Sequence, residues 1–446
     1  MLRSDRPTDI PPCDTREAIE ARQSERLARL IAEVGTQNRF LNQKLTRAGI
    51  SPASIRSLAD LYRIPFTTKA EILADQLAHP PYGTNLTYPR SAYSRLHQTS
   101  GTTGQPMRWL DTPESWNWVL GCWRQLFGWM GLRPDDRLFF PFSFGPFLGF
   151  WAGFEGANRL GNLCIAAGGM SSEARLTSLL ENEATIVCCT PTYALRLAEV
   201  AKSKGIDLPQ SAVRALLVAG EPGGNIPATR TQIERDWGAT VIDHWGMTEL
   251  GPLAIECSGS TGSLTVLETE CIAEVIDPQS GAAVPPGSEG ELVVTTLGRL
   301  GSPLVRYRTG DRVRNELPTG ESNACLRLPG GILGRVDEML TIRGNNFYPS
   351  ALEDVIRSLP GVAEFRIRLR EERAMQQIAI EIEPQADLSE VAMDRLLNEL
   401  EEAIRRRFHF RADIRKVGLG ELPRFEMKAR RFLREVATPA GGTHPG

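Results

Sequence analysis

Apolar residues near the start of the chain recur at helical spacing. Leu27, Leu30 and Ile31 fall on one face of a charged, helix-forming stretch that covers residues 15–48. A threonine pair follows shortly after Pro65, directly before another stretch of helix-forming residues. Proline followed by threonine is typical of a turn that leads into a helix N-cap. The pattern therefore predicts helices before and after this turn.

Apolar runs of strand length alternate with helix-forming stretches through the middle of the chain. The runs cover residues 137–142, 162–167, 185–189 and 214–220. Near-continuous apolar strands that alternate with helices are typical of a parallel sheet covered on both faces. We therefore expect an α/β fold, with a large N-terminal domain built on mostly parallel sheets.

The pattern changes from about residue 264 to short, turn-rich segments with many β-branched residues. Residues 272–276 and 290–296 read as strands of a small antiparallel β subdomain. The last hundred or so residues predict a small, mobile α+β domain, with a helix near 351–356, a strand at 377–382 and a helix over 389–407. These expectations divide the chain into residues 1–333 and 334–446.

Composition and charge narrow the function classes. The chain has 446 residues, 41% of them hydrophobic and 24% charged, and a net charge of −3. That balance is ordinary for a globular enzyme, and it offers no basic field for nucleic acid. No apolar run is long enough to span a bilayer, and the start lacks the apolar core of a signal peptide. Eight scattered cysteines, including the adjacent Cys188 and Cys189, favour a reducing cytoplasm over a disulfide framework.

A glycine-rich loop over residues 97–106 is the strongest single chemical signal. Glycine allows backbone N–H groups to approach a ligand closely, and serine and threonine add hydroxyl donors, which together suit a polyphosphate. No Gly-Lys-Ser/Thr follows, so the loop is not a Walker motif. A plain surface linker is the alternative. The candidate phosphate-binding residues are Thr99, Ser100, Gly101, Thr102, Thr103 and Gly104.

Four further segments combine charged, aromatic and glycine residues in a way that packing alone does not explain. They are residues 243–249 (DHWGMTE), 306–311 (RYRTGD), 334–349 (GRVDEMLTIRGNNFYP) and 422–430 (LPRFEMKAR). Each also has a plainer interpretation. Glu249 could be a surface acid, Asp311 a turn residue, Lys428 one of several basic residues on a solvated face, and His244 a satisfied histidine at a pocket edge.

In this order and at these distances, the segments resemble the motifs of the adenylate-forming acyl-CoA synthetase superfamily. The chain is most similar to the phenylacetate–CoA ligase branch through residues 218–222 (VAGEP), 301–308 (GSPLVRYR) and 346–350 (NFYPS). The resemblance runs from about residue 20 to 435. It implies an AMP-forming acid–CoA ligase, which uses ATP, Mg²⁺ and coenzyme A.

The resemblance also implies a role for each matching residue. The loop from Thr99 to Gly104 would hold the outer phosphates of ATP. Asp311 would bind the ribose hydroxyls, and Arg335 would add a contact near the ribose and phosphate. The residues that would line the adenine pocket and its edge are Gly220, Glu221, Pro222, Asp243, His244 and Trp245.

The catalytic residues implied by the resemblance are Thr248, Glu249 and Lys428. Thr248 would contact the α-phosphate, Glu249 would hold Mg²⁺, and Lys428 would reach from the small domain to the acyl carboxylate and α-phosphate. Asp337 would be the hinge about which that domain turns between adenylation and thioester formation. Since a carboxylate must attack a polyanion, positioning and charge neutralisation would do most of the catalysis.

Two departures from the family pattern affect the expected ligands. Gln105 stands where many members have lysine at the end of the phosphate loop. Some relatives also resemble a zinc-binding type, but here Thr265 replaces the histidine, and only Cys257 and Cys325 survive as candidates. Two thiols do not complete a tetrahedral zinc site, so we predict no zinc.

An aromatic stretch over residues 139–151 is the candidate acyl site. It could be core alone, or it could form an apolar slot for an aryl or arylacetic acid. The sequence thus predicts a small aromatic carboxylic acid, ATP and CoA as partners, with a homodimer possible. It leaves open an enzyme that passes the acyl group to a separate carrier protein or an amine, and a non-catalytic nucleotide-binding protein.

Overall fold

The computed structural model describes residues 15–99, 106–146, 148–318, 324–342, 345–372, 375–386, 388–425 and 429–435. Its α-helices are α1 (Arg16–Gln37), α2 (Arg39–Arg47), α3 (Leu58–Leu61), α4 (Lys69–Ala78), α5 (Pro113–Trp129), α6 (Trp151–Arg159), α7 (Ser172–Glu181), α8 (Pro191–Ser203), α9 (Pro227–Trp237), α10 (Pro349–Ser358) and α11 (Glu390–Phe408).

The strands alternate with these helices in the first half of the chain and then follow one another. They are β1 (Arg95–Gln98), β2 (Arg108–Asp111), β3 (Arg137–Phe140), β4 (Leu163–Ala166), β5 (Ile186–Cys189), β6 (Ala215–Val218), β7 (Thr240–Met247), β8 (Gly251–Glu256), β9 (Ser263–Val266), β10 (Cys271–Ile276), β11 (Glu289–Thr296), β12 (Tyr307–Arg314), β13 (Arg327–Pro329), β14 (Gly334–Arg335), β15 (Leu340–Ile342), β16 (Asn345–Phe347), β17 (Val362–Glu372), β18 (Met375–Pro384), β19 (Asp413–Lys416) and β20 (Phe432–Arg434). In the described part of the chain, no helix has the length and apolar character that crossing a membrane requires.

The predicted N-terminal helical stretch is divided in two at Asn38. The Asn38 side chain accepts a hydrogen bond from the backbone N–H of Leu41 and so caps α2. Thr68 caps α4, and the Glu71 carboxylate accepts the Thr68 backbone N–H in return. This reciprocal pair satisfies backbone donors at the helix start, which confirms the predicted N-cap.

The largest sheet has the strand order β13-β9-β8-β7-β6-β5-β3-β4. Strands β4, β3, β5, β6 and β7 pair in parallel, whereas β7, β8, β9 and β13 pair antiparallel. Successive residues of its central strands pack into opposite cores: Phe139 lies in the core on one face and Phe140 in the core on the other. The predicted α/β fold with a mostly parallel sheet is confirmed. Residues 243–249 lie at the carboxyl edge of this sheet, beside the second sheet of the large domain.

A second, antiparallel sheet in the order β10-β11-β12-β14 is the predicted β subdomain. Its last strand pairs Arg335 with Asp311 and Gly334 with Arg312. An isolated parallel bridge between Thr67 and Tyr307 ties the segment before α4 to β12. The subdomain therefore carries residues 306–311 towards the carboxyl edge of the larger sheet.

The C-terminal residues form an α+β unit in which β17 and β18 are antiparallel and β19 and β20 add in parallel at the edges. It contacts the large domain through α10, since the Ser350 hydroxyl donates to the Leu333 carbonyl (2.7 Å) and the backbone N–H of Ala228 donates to Asp354 (3.3 Å). The boundary near residue 334 stays a prediction.

Candidate active site

Trp245, Asp311 and Arg335 meet where the two sheets of the large domain approach each other. The Trp245 indole Nε1 donates to Asp311 Oδ2 (2.9 Å), and Arg335 Nη1 donates to Asp311 Oδ1 (3.0 Å). Arg335 also donates to the Thr309 carbonyl (3.1 Å). The structure thus brings together three residues that are far apart in the sequence and that the resemblance assigns to the nucleotide.

The Asp311 carboxylate is held in a largely dry position. Burial raises its pKa above the ordinary value, while the Arg335 charge and the Trp245 hydrogen bond oppose that rise. Gly310, at φ +74°, makes room for the pair, because a Cβ there would come within 2.6 Å of Arg335 Nη2. Each carboxylate oxygen keeps a further lone pair for a ligand hydroxyl.

Glu249 lies in the turn after β7 and is only 3% exposed. Within the described residues its carboxylate receives one side-chain hydrogen bond, from the Tyr307 hydroxyl to Oε1 (3.3 Å). A buried carboxylate without a cationic partner among these residues suits a hard cation, and carboxylate oxygen is the ligand type that Mg²⁺ prefers. Glu249 therefore fits the Mg²⁺-ligand role that the resemblance implies, and that role stays a prediction.

The backbone carbonyl of Thr248 is held by Arg299, a residue that no sequence motif indicates. Arg299 Nη1 donates to the Thr248 carbonyl (2.7 Å), and its other nitrogens donate to both oxygens of Asp111 (2.7 and 2.6 Å). The Arg299 and Asp111 side chains are fully buried. Since Asp111 lies on β2, this ion pair links the Thr248 turn to the hairpin that carries the glycine-rich loop.

Thr99 closes the base of the β1–β2 hairpin. Its hydroxyl accepts the Met107 backbone N–H (3.0 Å), and its own N–H donates to the Met107 carbonyl (3.0 Å). Ser100, Gly101, Thr102, Thr103, Gly104 and Gln105 lie outside the described residues, as does Lys428. Their predicted phosphate and catalytic roles stay predictions.

Asp243 faces Asn225, whose side-chain amide donates to its carboxylate. The Asp243 backbone N–H donates to Glu256 (3.1 Å), and Glu256 is paired with the buried Arg230. Burial raises the pKa of Asp243 to about 7, with the Glu256 charge adding to the rise and Asn225 and Arg230 opposing it. At neutral pH this side chain can therefore act as either donor or acceptor towards a ligand.

His244 is buried, and its ring has a backbone hydrogen-bond partner. Its Nδ1 lies 2.8 Å from the Ala254 carbonyl, and burial lowers its pKa to about 4. The neutral ring packs on Trp123, with centroids 4.6 Å apart. We assign it no proton-transfer role.

Aromatic rings continue from His244 into the predicted acyl site. Trp123 contacts Phe150 (6.3 Å between centroids), Phe150 contacts Phe142 (5.6 Å), and Phe142 contacts Phe144 (4.7 Å). We call these four residues and His244 the aromatic wall. Phe139, at the start of the same stretch, is instead fully buried in the opposite core.

Glu221 turns towards the small domain. One carboxylate oxygen accepts the Thr192 backbone N–H (2.9 Å), and the other accepts the Ala429 backbone N–H (2.7 Å). The neighbouring Gly220 has φ +95°. An adenine-pocket role for Gly220, Glu221 and Pro222 stays a prediction.

Asp337, the predicted hinge, is exposed and pairs with Arg335 (3.2 Å). Its carbonyl accepts from Arg434 of the C-terminal strand (3.5 Å). The hinge role stays a prediction. Cys257 and Cys325, the two zinc candidates, belong to no group of three or more His, Cys, Asp or Glu side chains that could hold a metal among the described residues.

Sequence reasoning missed Arg299, Asp111, Asn225 and Thr192. Arg299 and Asp111 are 188 residues apart, and each stands in a segment without a distinctive motif. The one available signal was that Asp111 directly follows the apolar pair Trp109–Leu110 at the end of β2, where a buried charge needs a partner. Nothing in the sequence names that partner.

Comparisons with known proteins identify the family of the chain. A family model of AMP-binding enzymes matches residues 94–298, and one of the C-terminal domain of AMP-binding enzymes matches residues 344–435. The phenylacetate–coenzyme A ligase of Thermus thermophilus is 32% identical over 87% of this chain and 86% of its own length. That of Escherichia coli is 29% identical over 96% of this chain and 97% of its own length.

A solved structure of a CoA ligase has the same fold. The 2-hydroxyisobutyryl-CoA ligase in the postadenylation state with 2-HIB-AMP is 27% identical, covers 95% of this chain and 91% of its own, and has a TM-score of 0.90. The fold and the site thus define an AMP-binding, adenylate-forming enzyme. The chain belongs to the phenylacetate–CoA ligase family. It is an ATP-dependent acid–CoA ligase that acts through an acyl-AMP intermediate.

Proposed function

We propose that the chain activates a small aromatic carboxylic acid, aryl or arylacetic, and transfers the acyl group from AMP to coenzyme A. The observation that carries this proposal is the aromatic wall, which begins at His244 in the predicted nucleotide site and runs to Phe144. A cluster of aromatic side chains beside the predicted nucleotide site suits an apolar aromatic ring whose carboxylate would point at the α-phosphate. The phenylacetate–coenzyme A ligases to which the chain is similar are named for an acid of the same class.

Charged groups beside the wall suit the first half-reaction. Asp311 would accept the ribose hydroxyls, with its orientation fixed by Trp245 and Arg335. Glu249 would hold Mg²⁺, which when bound neutralises phosphate charge. Thr248, held by Arg299, would contact the α-phosphate. The acid's carboxylate attacks that phosphorus, the acyl–phosphate bond forms, and pyrophosphate leaves.

The second half-reaction replaces the nucleotide with a thiol. The CoA sulfur attacks the acyl carbon, the bond to the AMP oxygen breaks, and the thiol proton is lost. Lys428 would serve the first step and withdraw for the second, when the small domain turns about Asp337.

A panel of acids tests the substrate class. Phenylacetate and benzoate should give ATP-dependent pyrophosphate release at much higher kcat/KM than 2-hydroxyisobutyrate or hexanoate, and removal of Mg²⁺ should abolish it. A higher kcat/KM for the aliphatic acids would overturn the aromatic assignment. No release with any acid would favour the non-catalytic alternative.

The acyl acceptor needs its own comparison. With an acid that gives pyrophosphate release, AMP should appear when free CoA is added. If only a phosphopantetheine-bearing carrier protein or an amine releases AMP, the alternative acceptor is correct. A cytoplasmic setting and a homodimer stay predictions.

A further inference from the structure

The Glu221 carboxylate connects the large domain to the segment that follows Lys428. Oε1 accepts the Thr192 N–H at the start of α8, and Oε2 accepts the Ala429 N–H of the small domain. Both contacts are short, at 2.9 and 2.7 Å. One carboxylate thus holds backbone groups from two domains, and neither bond depends on the identity of the side chain at residue 429.

A second contact lies beside the first. The buried Arg431 donates from Nη1 to the Thr192 hydroxyl (3.0 Å), while its other nitrogens donate to both oxygens of Glu364 (2.6 and 2.9 Å). Glu364 belongs to β17 of the small domain. Thr192 therefore joins the two contacts. Its backbone N–H donates to Glu221, and its hydroxyl accepts from Arg431.

The carboxylate of Glu221 suits this position better than an uncharged group would. Burial raises its pKa, whereas the hydrogen bonds from Thr192 and Ala429 and the Arg431 charge oppose that rise. An amide in its place would offer one oxygen and one NH₂ group, so it could accept only one of the two N–H groups. Losing an acceptor for a part-buried N–H destabilises the contact.

The domain orientation that contains this contact matches one state of the related ligase. The TM-score to 2-hydroxyisobutyryl-CoA ligase is 0.90 for the postadenylation state and 0.71 for the thioesterification state with CoA. The two comparisons cover 95% of this chain each. The Glu221–Ala429 contact therefore belongs to a domain arrangement that resembles the postadenylation state more closely than the thioesterification state.

We propose that Glu221 is a positioning residue, which holds the backbone after Lys428 against the large domain for adenylate formation and releases it before thioester formation. This inference rests on the proposed function. It separates Glu221 from the adenine-pocket role that the resemblance implies, because a residue that only lines that pocket would affect ATP binding and not the balance of the two half-reactions.

Glu221→Gln tests the proposal in the full chain. Pyrophosphate release in a single turnover should slow by about tenfold or more, since one charge-assisted bond is lost. Thioester formation from supplied acyl-AMP and CoA should be unchanged or faster. Hydrogen–deuterium exchange of the Ala429 amide should accelerate by about tenfold or more in the absence of any substrate.

Matched variants complete the test. Glu173→Gln makes the same chemical change at an exposed ion pair with Lys204 and should leave all three readouts unchanged. Thr192→Val removes the Arg431 acceptor and the side-chain hydrogen bond to Glu221 but keeps the backbone N–H to Glu221, so it should slow adenylation more weakly, while Thr192→Ser should retain the wild-type rate. If Glu221→Gln does not fold, the adenylation rates of Thr192→Val and Thr192→Ser still test the proposal.

Two results would overturn the inference. One is an equal loss in both half-reactions for Glu221→Gln, and the other is unchanged exchange at Ala429. If the wild-type chain turns over no acid, the proposed function fails, and the exchange measurement alone then decides whether Glu221 holds the segment.

Discussion

Arg335 and Asp311 lie opposite each other on antiparallel strands β14 and β12, with Nη1 and Oδ1 3.0 Å apart. The arginine lies next to the predicted boundary with the small domain, and the aspartate lies on β12 of the large one. Trp245 occupies the other carboxylate oxygen. A ribose bound at Asp311 would therefore lie next to Arg335, close to the predicted boundary between the domains.

Asp311→Asn should raise the Kd for ATP by about 10- to 100-fold, since a hydrogen bond to a charged group contributes about 1.5–3 kcal/mol. Isothermal titration with ATP and Mg²⁺ measures it. Glu289→Gln, at an exposed pair with Arg314, serves as the control and should bind ATP normally. Normal ATP affinity in Asp311→Asn would remove the aspartate from the nucleotide site.

Arg299→Met should cost about 3–5 kcal/mol of stability, because Asp111 is left as an uncompensated buried charge. Urea denaturation measures the loss, and the double variant Arg299→Met with Asp111→Leu should recover most of it. Arg314→Gln, at the surface, should cost less than about 1 kcal/mol. A similarly small cost for Arg299→Met would show that the pair does not stabilise the Thr248 turn.

Asp243→Asn should change stability in a pH-dependent way. In the folded protein the carboxyl has a pKa of about 7, against an ordinary value of 3.8, so the unfolded chain loses its proton first as pH rises. The folded state is thus penalised progressively above about pH 4, fully above about pH 7, and not below about pH 4. Asparagine removes this penalty.

Thermal denaturation at about pH 5 and pH 8 should therefore show a more favourable Tm change for Asp243→Asn at pH 8. Asp277→Asn is the control of opposite sign. Hydrogen bonds from Ser280 and Gln279 lower the pKa of exposed Asp277, so its contribution is present at pH 8 and lost as pH falls. The same Tm change at both pH values would contradict a raised Asp243 pKa.

Lys428→Ala should slow adenylate formation by ~10²–10³, the range for removing a positioned charge-stabilising donor. Thioester formation from supplied acyl-AMP should be spared, because the lysine is predicted to serve the first step alone. Rapid-quench measurement of each half-reaction gives both rates. Lys204→Ala, at an exposed lysine, is the control. Comparable slowing of the two steps would contradict the domain rotation.

Local sequence signals predicted the elements whose causes are local. The Thr68 cap, the buried strand at 186–189 and the helix that begins after Ser389 all depend on residues within one element. The motif order predicted the family, and within the structure Trp245 and Asp311 are in contact.

The remaining contacts depend on distance in space and not on distance along the chain. Glu221 and Ala429 are 208 residues apart, and the acceptor of one backbone N–H cannot be read from residue types. The same holds for Arg299, whose partner becomes evident only when β2 and the segment after β11 are packed together. Charge balance requires that such partners exist, but the fold selects them.

The pairing of Thr192 and Glu221 with residues 429–431 has a practical consequence for hybrid enzymes. In a hybrid that carries the C-terminal unit of a homologue, Thr192 and Glu221 would face a different backbone and different side chains from the Ala429 N–H and the Arg431 guanidinium that they bind here. A crossover at the domain junction should therefore carry these two positions along with the transplanted segment, even though they lie far upstream of the splice.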